Sequence, residues 1–456
     1  MKTIFRFSLI PLLLHALTSQ AALTVTNIAQ GSMADHSLFL KSDGSLWAMG
    51  SNQYGQLGDG TDNEYTNQPV QIVSAGVKAI AMGQYDSLFI KTDGSLWTMG
   101  RNSEGQLGDG TFNLSTNRPE QIVASGVTAI AAGGRHSLFL KSNGSLWAMG
   151  ANYSGQLGDG AINLFTNRPE QIVASGVIAI AAGGGHSLFL KSDGSLWGMG
   201  DNYVGQLGDG TFNSSTNQPE QIVASGVTAI AAGYWHSLFL KSDGSLWTMG
   251  FNYYGQLGDG TFNNTNQPEQ IVANGVKAIA AGSAHSLFLK TDGSLWAMGY
   301  NGWGSLGVVV GNSGTNRPIQ IVAGGVTAIA SGHAHNLFIR SEGSLWGMGY
   351  NAFGQLGDSF IAGYPHGIAI PEQIFPSPPP VLKSALSSTT NLLLTATCEF
   401  GGNFYLLGST NIVFPFSQWT PLRTNSITAR GLNNFSAILT NVLNFGGPQF
   451  YILLSQ

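Results

Sequence analysis

Residues 127–176 read VTAIAAGGRHSLFLKSNGSLWAMGANYSGQLGDGAINLFTNRPEQIVASG, and near-copies of this line fill most of the 456-residue chain. Its tryptophan recurs at Trp47, Trp97, Trp147, Trp197, Trp247, Trp296 and Trp346, in steps of 50, 50, 50, 50, 49 and 50 residues. Self-similarity at this period decides the architecture before any other argument. Each copy opens on a run of small residues such as VTAIAAG, suited to a crowded place near a central axis. HSLFLKSNGSLW then alternates apolar and polar residues on either side of Asn-Gly or Asp-Gly, which predicts a two-residue hairpin with positive φ in the turn. Leu138 and Leu140 share one face and Phe139 takes the other, so each unit can bury side chains against its neighbour. The stretch GANYSGQLGDG has the chemistry of a long ordered loop. A short PEQIV strand closes the unit, with proline as the first residue of an edge strand. Four strands in each of seven units, without helical periodicity, predict an all-β fold, a seven-bladed β-propeller, over residues 22–374. A β-solenoid is the alternative, but its rungs are usually shorter and it needs polar caps. The sequence leaves open which strand closes the ring.

The flanks differ from the repeat. Lys2 and Arg6 precede an apolar run broken by Pro11 and His15, and Ser19-Gln20-Ala21 supplies small residues, so residues 1–21 read as a secretory signal peptide. That places the mature protein outside the cytoplasm, secreted or in the cell envelope. No later run is long and apolar enough to suggest a helical membrane span. Residues 375–381 form a proline-rich linker. Residues 382–456 lose the period and read as short strands of a small β-sandwich-like module.

Bulk properties narrow the function. Charged residues make up 9% of the chain, roughly a third of the usual share. Removing Lys2 and Arg6 from 19 basic residues leaves 17 against 24 acidic ones, a net −7. That argues against nucleic acid, which needs a basic face. Cys398 is the single cysteine, so no intrachain disulfide forms and packing must supply the stability.

The repeated polar residues favour scaffolding. His36, His136, His186, His236, His285 and His335 fall on separate blades, too far apart to share a metal, and Asp86 replaces the histidine in copy two. Asp59 and its equivalents lack the further acid of a calcium loop and read as turn caps. Asp43 and its equivalents recur for hairpin geometry rather than as a glycosidase pair. No catalytic triad, phosphate loop or cysteine nucleophile stands apart from the repeat. The reading is therefore of a non-enzymatic chain without cofactor or metal.

The informative positions are those where the copies disagree. After each Trp-x-Met-Gly the loops read SNQYG, RNSEG, ANYSG, DNYVG, FNYYG, YNGWG and YNAFG. They carry Tyr54, Arg101, Tyr153, Tyr203, Phe251, Tyr253, Tyr254, Tyr300, Trp303, Tyr350 and Phe353. The turn before each histidine adds Arg135, Tyr234 and Trp235. Aromatic residues on ordered loops give binding area at low entropic cost. Packing between blades, or neutral drift, is the plainer explanation of the same residues. The favoured reading is a secreted interaction scaffold that binds a protein through this variable set. A carbohydrate-binding surface is the alternative, and a hydrolase ranks last.

The motifs G-x-x-H-S-L-F-L, D-G-S-L-W-x-M-G and N-x-x-G-Q-L-G-D-G resemble the regulator-of-chromosome-condensation repeat family. The last stands at 52–60, 102–110, 152–160, 202–210 and 252–260, and is degraded in copies six and seven. The resemblance covers residues 25–374. It implies a propeller that binds macromolecules through its faces, with partners as diverse as a small GTPase and chromatin, a photoreceptor's own dimer and, in secreted bacterial members, a β-lactamase. The last context is the one that fits an exported chain. No copy carries an insertion long enough for the wedge of the nucleotide-exchange members, nor the tryptophan and arginine array of the photoreceptors, so neither activity follows from the fold. The tail is similar to a short β-module found at the ends of secreted bacterial repeat proteins.

Overall fold

A computed structural model describes residues 23–161, 164–309, 314–357 and 367–375, and the backbone of six strands between Val381 and Ser455. The expected leader, residues 376–380 of the linker and most of the lengthened loop at 360–370 lie outside the described residues. Residues Leu23–Ser377 form one unit, a seven-bladed propeller of seven four-stranded antiparallel sheets. Each blade is four strands consecutive in sequence, as in blade 3: Val127–Ala132, His136–Lys141, Leu146–Ala151 and Phe165–Val173. The ring therefore closes without exchanging a strand. Blade 7 meets blade 1 through the Val25 amide on Gly343 O (3.1 Å) and the His333 amide on Ala34 O (2.9 Å).

The leucine face of one blade packs on the aromatic face of the next. Leu138, Leu140, Leu146 and Ala148 of blade 3 meet Val177, Phe189 and Met199 of blade 4. Blade 7 meets blade 1 the same way, Leu337, Ile339 and Leu345 against Phe39 and Met49. The small inner strands surround an axial cavity of about 350 Å³ lined by Ile80, Ile130, Ile180, Ile230 and their neighbouring alanines. Larger side chains there would fill the axis.

Two local expectations are corrected. The Asp-Gly or Asn-Gly hairpin has a three-residue loop rather than a two-residue one. The Lys141 amide donates to Ser145 O (3.0 Å) and the Gly144 amide to Lys141 O (2.8 Å), with Gly144 at φ 75°. This is the bulged form, in which glycine takes the left-handed position. The acid does more than turn the chain. Asp43 Oδ1 accepts from the Ser45 amide (2.9 Å) and hydroxyl (2.6 Å), and Ser45 Oγ accepts from Trp47 Nε1 (2.9 Å). The hairpin aspartates thus orient the tryptophans. The outer strand is also longer than PEQIV. It begins at Phe165, so Pro169 sits inside it, where the register shifts between Ala148 and Gly150. A bulge on the outermost strand needs no amide donor at that place, which accommodates the proline.

The repeated histidines join the blades. His136 Nε2 lies 2.9 Å from Ser187 Oγ in the next blade, and Ser187 Oγ donates to Gln156 O (2.8 Å). Because the serine proton is committed to that carbonyl, the imidazole must be the donor, neutral and protonated on Nε2. The same link joins His36 to Ser87, His186 to Ser237, His236 to Ser286 and, across the closure, His335 to Ser37. His285 reaches Asn336 Oδ1 (2.8 Å), and Asn336 Nδ2 donates to Ser305 O (2.6 Å), so the exceptional asparagine keeps both halves of the link. Burial holds His36, His186, His236 and His335 down at about 3 and His136 and His285 at about 4.

Asp86 occupies the second blade's place in this belt. Its carboxyl is buried and neither oxygen has a hydrogen-bond partner. Ser137, the neighbour that would favour its charge, already donates to Gln106 O (3.0 Å). Burial therefore raises the Asp86 pKa well above the ordinary carboxylate value, Ser137 offsetting this only in part. A raised carboxyl destabilises the fold as pH rises from the unfolded value of about 4 towards the folded one. Asp86→Asn should thus stabilise the protein at pH 7.5 by about 2 kcal/mol, with a smaller gain at pH 5.5. Urea melts of both proteins at the two pH values check this, and equal midpoints at pH 7.5 would refute it.

The second unit contributes two three-stranded antiparallel sheets. One holds Val381–Leu386, Leu392–Cys398 and Asn433–Leu439; the other holds Asn403–Ser409, Thr420–Ser426 and Phe450–Ser455.

Candidate binding face

Antiparallel order puts the connection between strands one and two, and the long connection between strands three and four, at the same end of every blade. All fourteen variable residues singled out from the sequence therefore belong to one face of the ring. Within each blade a backbone bond ties the two connections together: the Phe251 amide to Trp235 O (2.9 Å), Arg101 to Tyr85 O (2.9 Å), Asp201 to Gly185 O (2.8 Å). The loop motif braces itself. Asn252 Oδ1 accepts from the Leu257 amide (3.0 Å), Asn252 Nδ2 donates to Asp259 Oδ1 (3.0 Å), and Gln256 Oε1 accepts from the Tyr254 amide (3.1 Å). Asp259 in turn takes the Thr261 amide (2.8 Å), which makes the loop aspartates turn caps. The loop then reaches the next blade, where the Gly260 amide donates to Asn316 O (2.8 Å). The variable positions ride on this fixed frame, which pre-pays the entropy of ordering them.

Nine of the fourteen form one unbroken aromatic arc over blades 5, 6 and 7. Tyr234 meets Trp235 at 4.2 Å between ring centroids, Trp235 meets Phe251 at 5.4 Å, and Phe251 meets Tyr253 at 6.3 Å and Tyr254 at 6.2 Å. Tyr254 continues to Tyr300 (4.8 Å), Tyr300 to Trp303 (5.4 Å), Trp303 to Tyr350 (5.4 Å) and Tyr350 to Phe353 (6.1 Å). Most contacts are tilted or edge-on, the arrangement favoured by ring quadrupoles. Tyr253 is 68% exposed and Trp235 38%. The arc is thus a surface supported from within its own plane.

Three of the remaining five gather over blades 1 to 3. Arg101 lies over Tyr54 (5.4 Å) and donates to Glu104 Oε1 (3.0 Å), and Arg135 leans back to the same oxygen (3.3 Å). Glu104 is buried, so its two arginines are what make its charge tolerable. Tyr153 instead turns outward to Phe165 (6.5 Å). Tyr203 is 73% exposed and touches no other ring among the described residues.

The sequence reading missed four members of this face. Tyr85 stacks obliquely on Tyr54 (4.9 Å) and also lies beneath Arg101 (5.7 Å). His333 extends the arc from Trp303 (6.2 Å) and pairs with Asp35 Oδ1 (3.2 Å). Burial pulls the His333 pKa down, but the Asp35 hydrogen bond and charge override it, and the net shift is upward. Glu104 is the fourth. Tyr85 and His333 occupy the turn positions of Trp235 and Tyr234, so the comparison of copies held the signal.

Similarity to known proteins agrees with this architecture. A profile of the RCC1-like domain matches residues 164–411, and regulator of chromosome condensation (RCC1) repeat profiles match 43–90 and 93–140, and 25–56, 77–106 and 127–156. No curated protein sequence matches the chain. Human WBSCR16 superposes with a TM-score of 0.67 at 22% identity, over 74% of this chain and 96% of its own. Prp20p of Saccharomyces cerevisiae, described with its binding properties to Gsp1p and histones, gives 0.65 at 21% identity, over 75% and 88%. Yeast RCC1 (Prp20) bound by Kap60 gives 0.64 at 20% identity, over 82% and 92%. These identities speak for the fold alone. With the RCC1-like domain profile spanning more than half of its length, and repeat profiles covering much of the rest of the propeller, the chain belongs to the RCC1-like domain family.

Proposed function

We propose that this propeller is a non-catalytic scaffold that binds a protein partner through its variable loop face, and that it works outside the cytoplasm. The carrying observation is the continuous arc from Tyr234 to Phe353 on loops braced alike in blades 5, 6 and 7 by an asparagine Oδ1 that accepts from a leucine amide. Large, rigid aromatic side chains on ordered loops are the usual anchors of protein interfaces. The yeast relative Prp20p, described with its binding to Gsp1p and histones, supports partner binding as a use of this fold. The leader at residues 1–21 supports export.

The test is a triple variant, Tyr253→Ala, Tyr254→Ala and Trp303→Ala. A partner captured by the intact protein from the envelope and medium of the producing cell should bind the variant at least about 100-fold more weakly. Thermal unfolding should barely move. A partner that binds the variant normally refutes the loop face. Carbohydrate is the second reading. Polar clefts on the rim, such as that of about 310 Å³ beside Asn52, Tyr54, Asp62 and Asn117, favour it. Signals on a glycan array that survive the triple variant and are lost in Tyr54→Ala would replace the protein partner with a sugar in that cleft.

A further inference from the structure

Blade 4 breaks the face between its two sectors. Its turn is Gly183-Gly184-Gly185, and only the first two glycines are demanded by the fold. A Cβ on Gly183 would collide with the His186 ring, and one on Gly184 with the ring of Tyr234. A Cβ on Gly185 would make only ordinary contacts, with Asp201 Cβ at 3.5 Å and Oδ2 at 3.9 Å, and its backbone is outside the left-handed region. Nothing in the scaffold requires glycine there, yet its absence of a side chain uncovers Asp201.

Asp201 is itself unusual. Position 201 is held by Ser51, Arg101, Ala151, Phe251, Tyr300 and Tyr350 in the other blades. Its Oδ1 accepts from the Tyr203 amide (3.2 Å). It forms no ion pair among the described residues, although Arg135 belongs to the adjacent blade, because Arg135 turns the other way to Glu104. Burial raises the Asp201 pKa, the Tyr203 amide and Gln206 opposing it. On the far side stands the end of the arc, Tyr234 lying on Gly184 and Trp235 tilted against it.

We infer that the opening at Gly185 is a recess for a cationic side chain, a lysine or arginine of the partner, held by the Asp201 carboxylate against the aromatic edge of Tyr234 and Trp235. The inference rests on the loop-face reading and names the charge its partner must bring. A half-buried carboxylate without a counter-ion gains most from a cation that arrives desolvated. An aromatic wall adds cation–π attraction and accepts the aliphatic stem. Aromatic anchors along blades 5 to 7 would supply area, and the recess would fix register.

A random peptide library displayed on phage, panned against the full-length protein, tests this. Enriched peptides should share a lysine or arginine. Synthetic copies should bind Asp201→Asn at least about tenfold more weakly. Asparagine keeps the acceptor for the Tyr203 amide, and an unchanged thermal melt verifies the fold. Gly185→Val, which fills the opening and leaves the carboxylate, should cause a similar loss. Peptides without a shared basic residue, or ones that bind both variants normally yet lose the triple arc variant, overturn the recess and leave the loop face standing. Peptides indifferent to all three variants, or no enrichment at all, overturn both.

Discussion

Lowering the pH from 7.5 to 5 should unfold the propeller. Six imidazoles sit in the blade junctions, buried, neutral and held at about 3 or 4 against an unfolded value near 6.5. A histidine with a depressed folded pKa contributes no penalty above 6.5. Below that value the unfolded chain binds protons that the folded chain refuses, and stability falls until the folded value is reached. Each such group removes about 1.4 kcal/mol per pH unit in this window, and six together about 8 kcal/mol per unit. By pH 5 the summed loss is about 12 kcal/mol, comparable to the whole stability of an ordinary domain. Three groups work in the opposite direction. Asp86 and Asp201, with raised pKa values, cost less as the pH falls, and His333, raised by Asp35, stabilises once charged. Together they do not offset six histidines. Urea denaturation from pH 7.5 to 5.5 measures the slope directly. Net uptake of about four to five protons on unfolding is expected at pH 5.5, the share of the six histidines less what the raised carboxyls release, and it should fall by about one in His285→Gln. An uptake below three would mean that the belt is not what couples stability to pH.

The belt also shows how far the sequence could be read. The Trp47 to Trp346 period, the small inner strands and the alternation around Phe139 were enough for the number of blades, their order and the packing of one blade on the next. That the histidines are scaffold rather than a shared metal site was legible in their spacing, but their partner was not: His136 and Ser187 are 51 residues apart, and His335 and Ser37 are 298. Such pairs exist only because the ring curves and closes. The same holds on the loop face. Listing the variable aromatics did not separate Tyr254, which touches the next blade's Tyr300, from Tyr203, which meets no other ring because its loop has Asp201 and Val204 where Tyr253 has Phe251 and Tyr254. Pro169 misled in a different way. Proline marks an edge strand, but a bulge can hide it in the middle of one, here where the register shifts opposite Ala148 and Gly150.

Gly233→Ala should be among the most damaging single changes in the propeller, although it adds one methyl group. The new carbon would collide with the His236 ring and come within 2.9 Å of Gly282 O. Backbone cannot yield on that side, because the turns are bonded from blade to blade, as Gly184 is to Gly233 O (3.2 Å). The ring must therefore move, which breaks its link to Ser286 in the next blade. Overpacking and a buried donor left unpaired together cost about 3 to 5 kcal/mol. Gly226→Ala separates this from a general intolerance of alanine: its φ is 83° but nothing lies within 4 Å, so only backbone strain of about 1 kcal/mol applies. Gly185→Ala has neither obstacle and should change stability by less than about 1 kcal/mol. Chemical denaturation of the three variants at pH 7.5 should rank them in that order. If Gly233→Ala proved as mild as Gly185→Ala, the histidine belt would be a loose fit rather than a clamp, and the steep acid response would have to weaken with it.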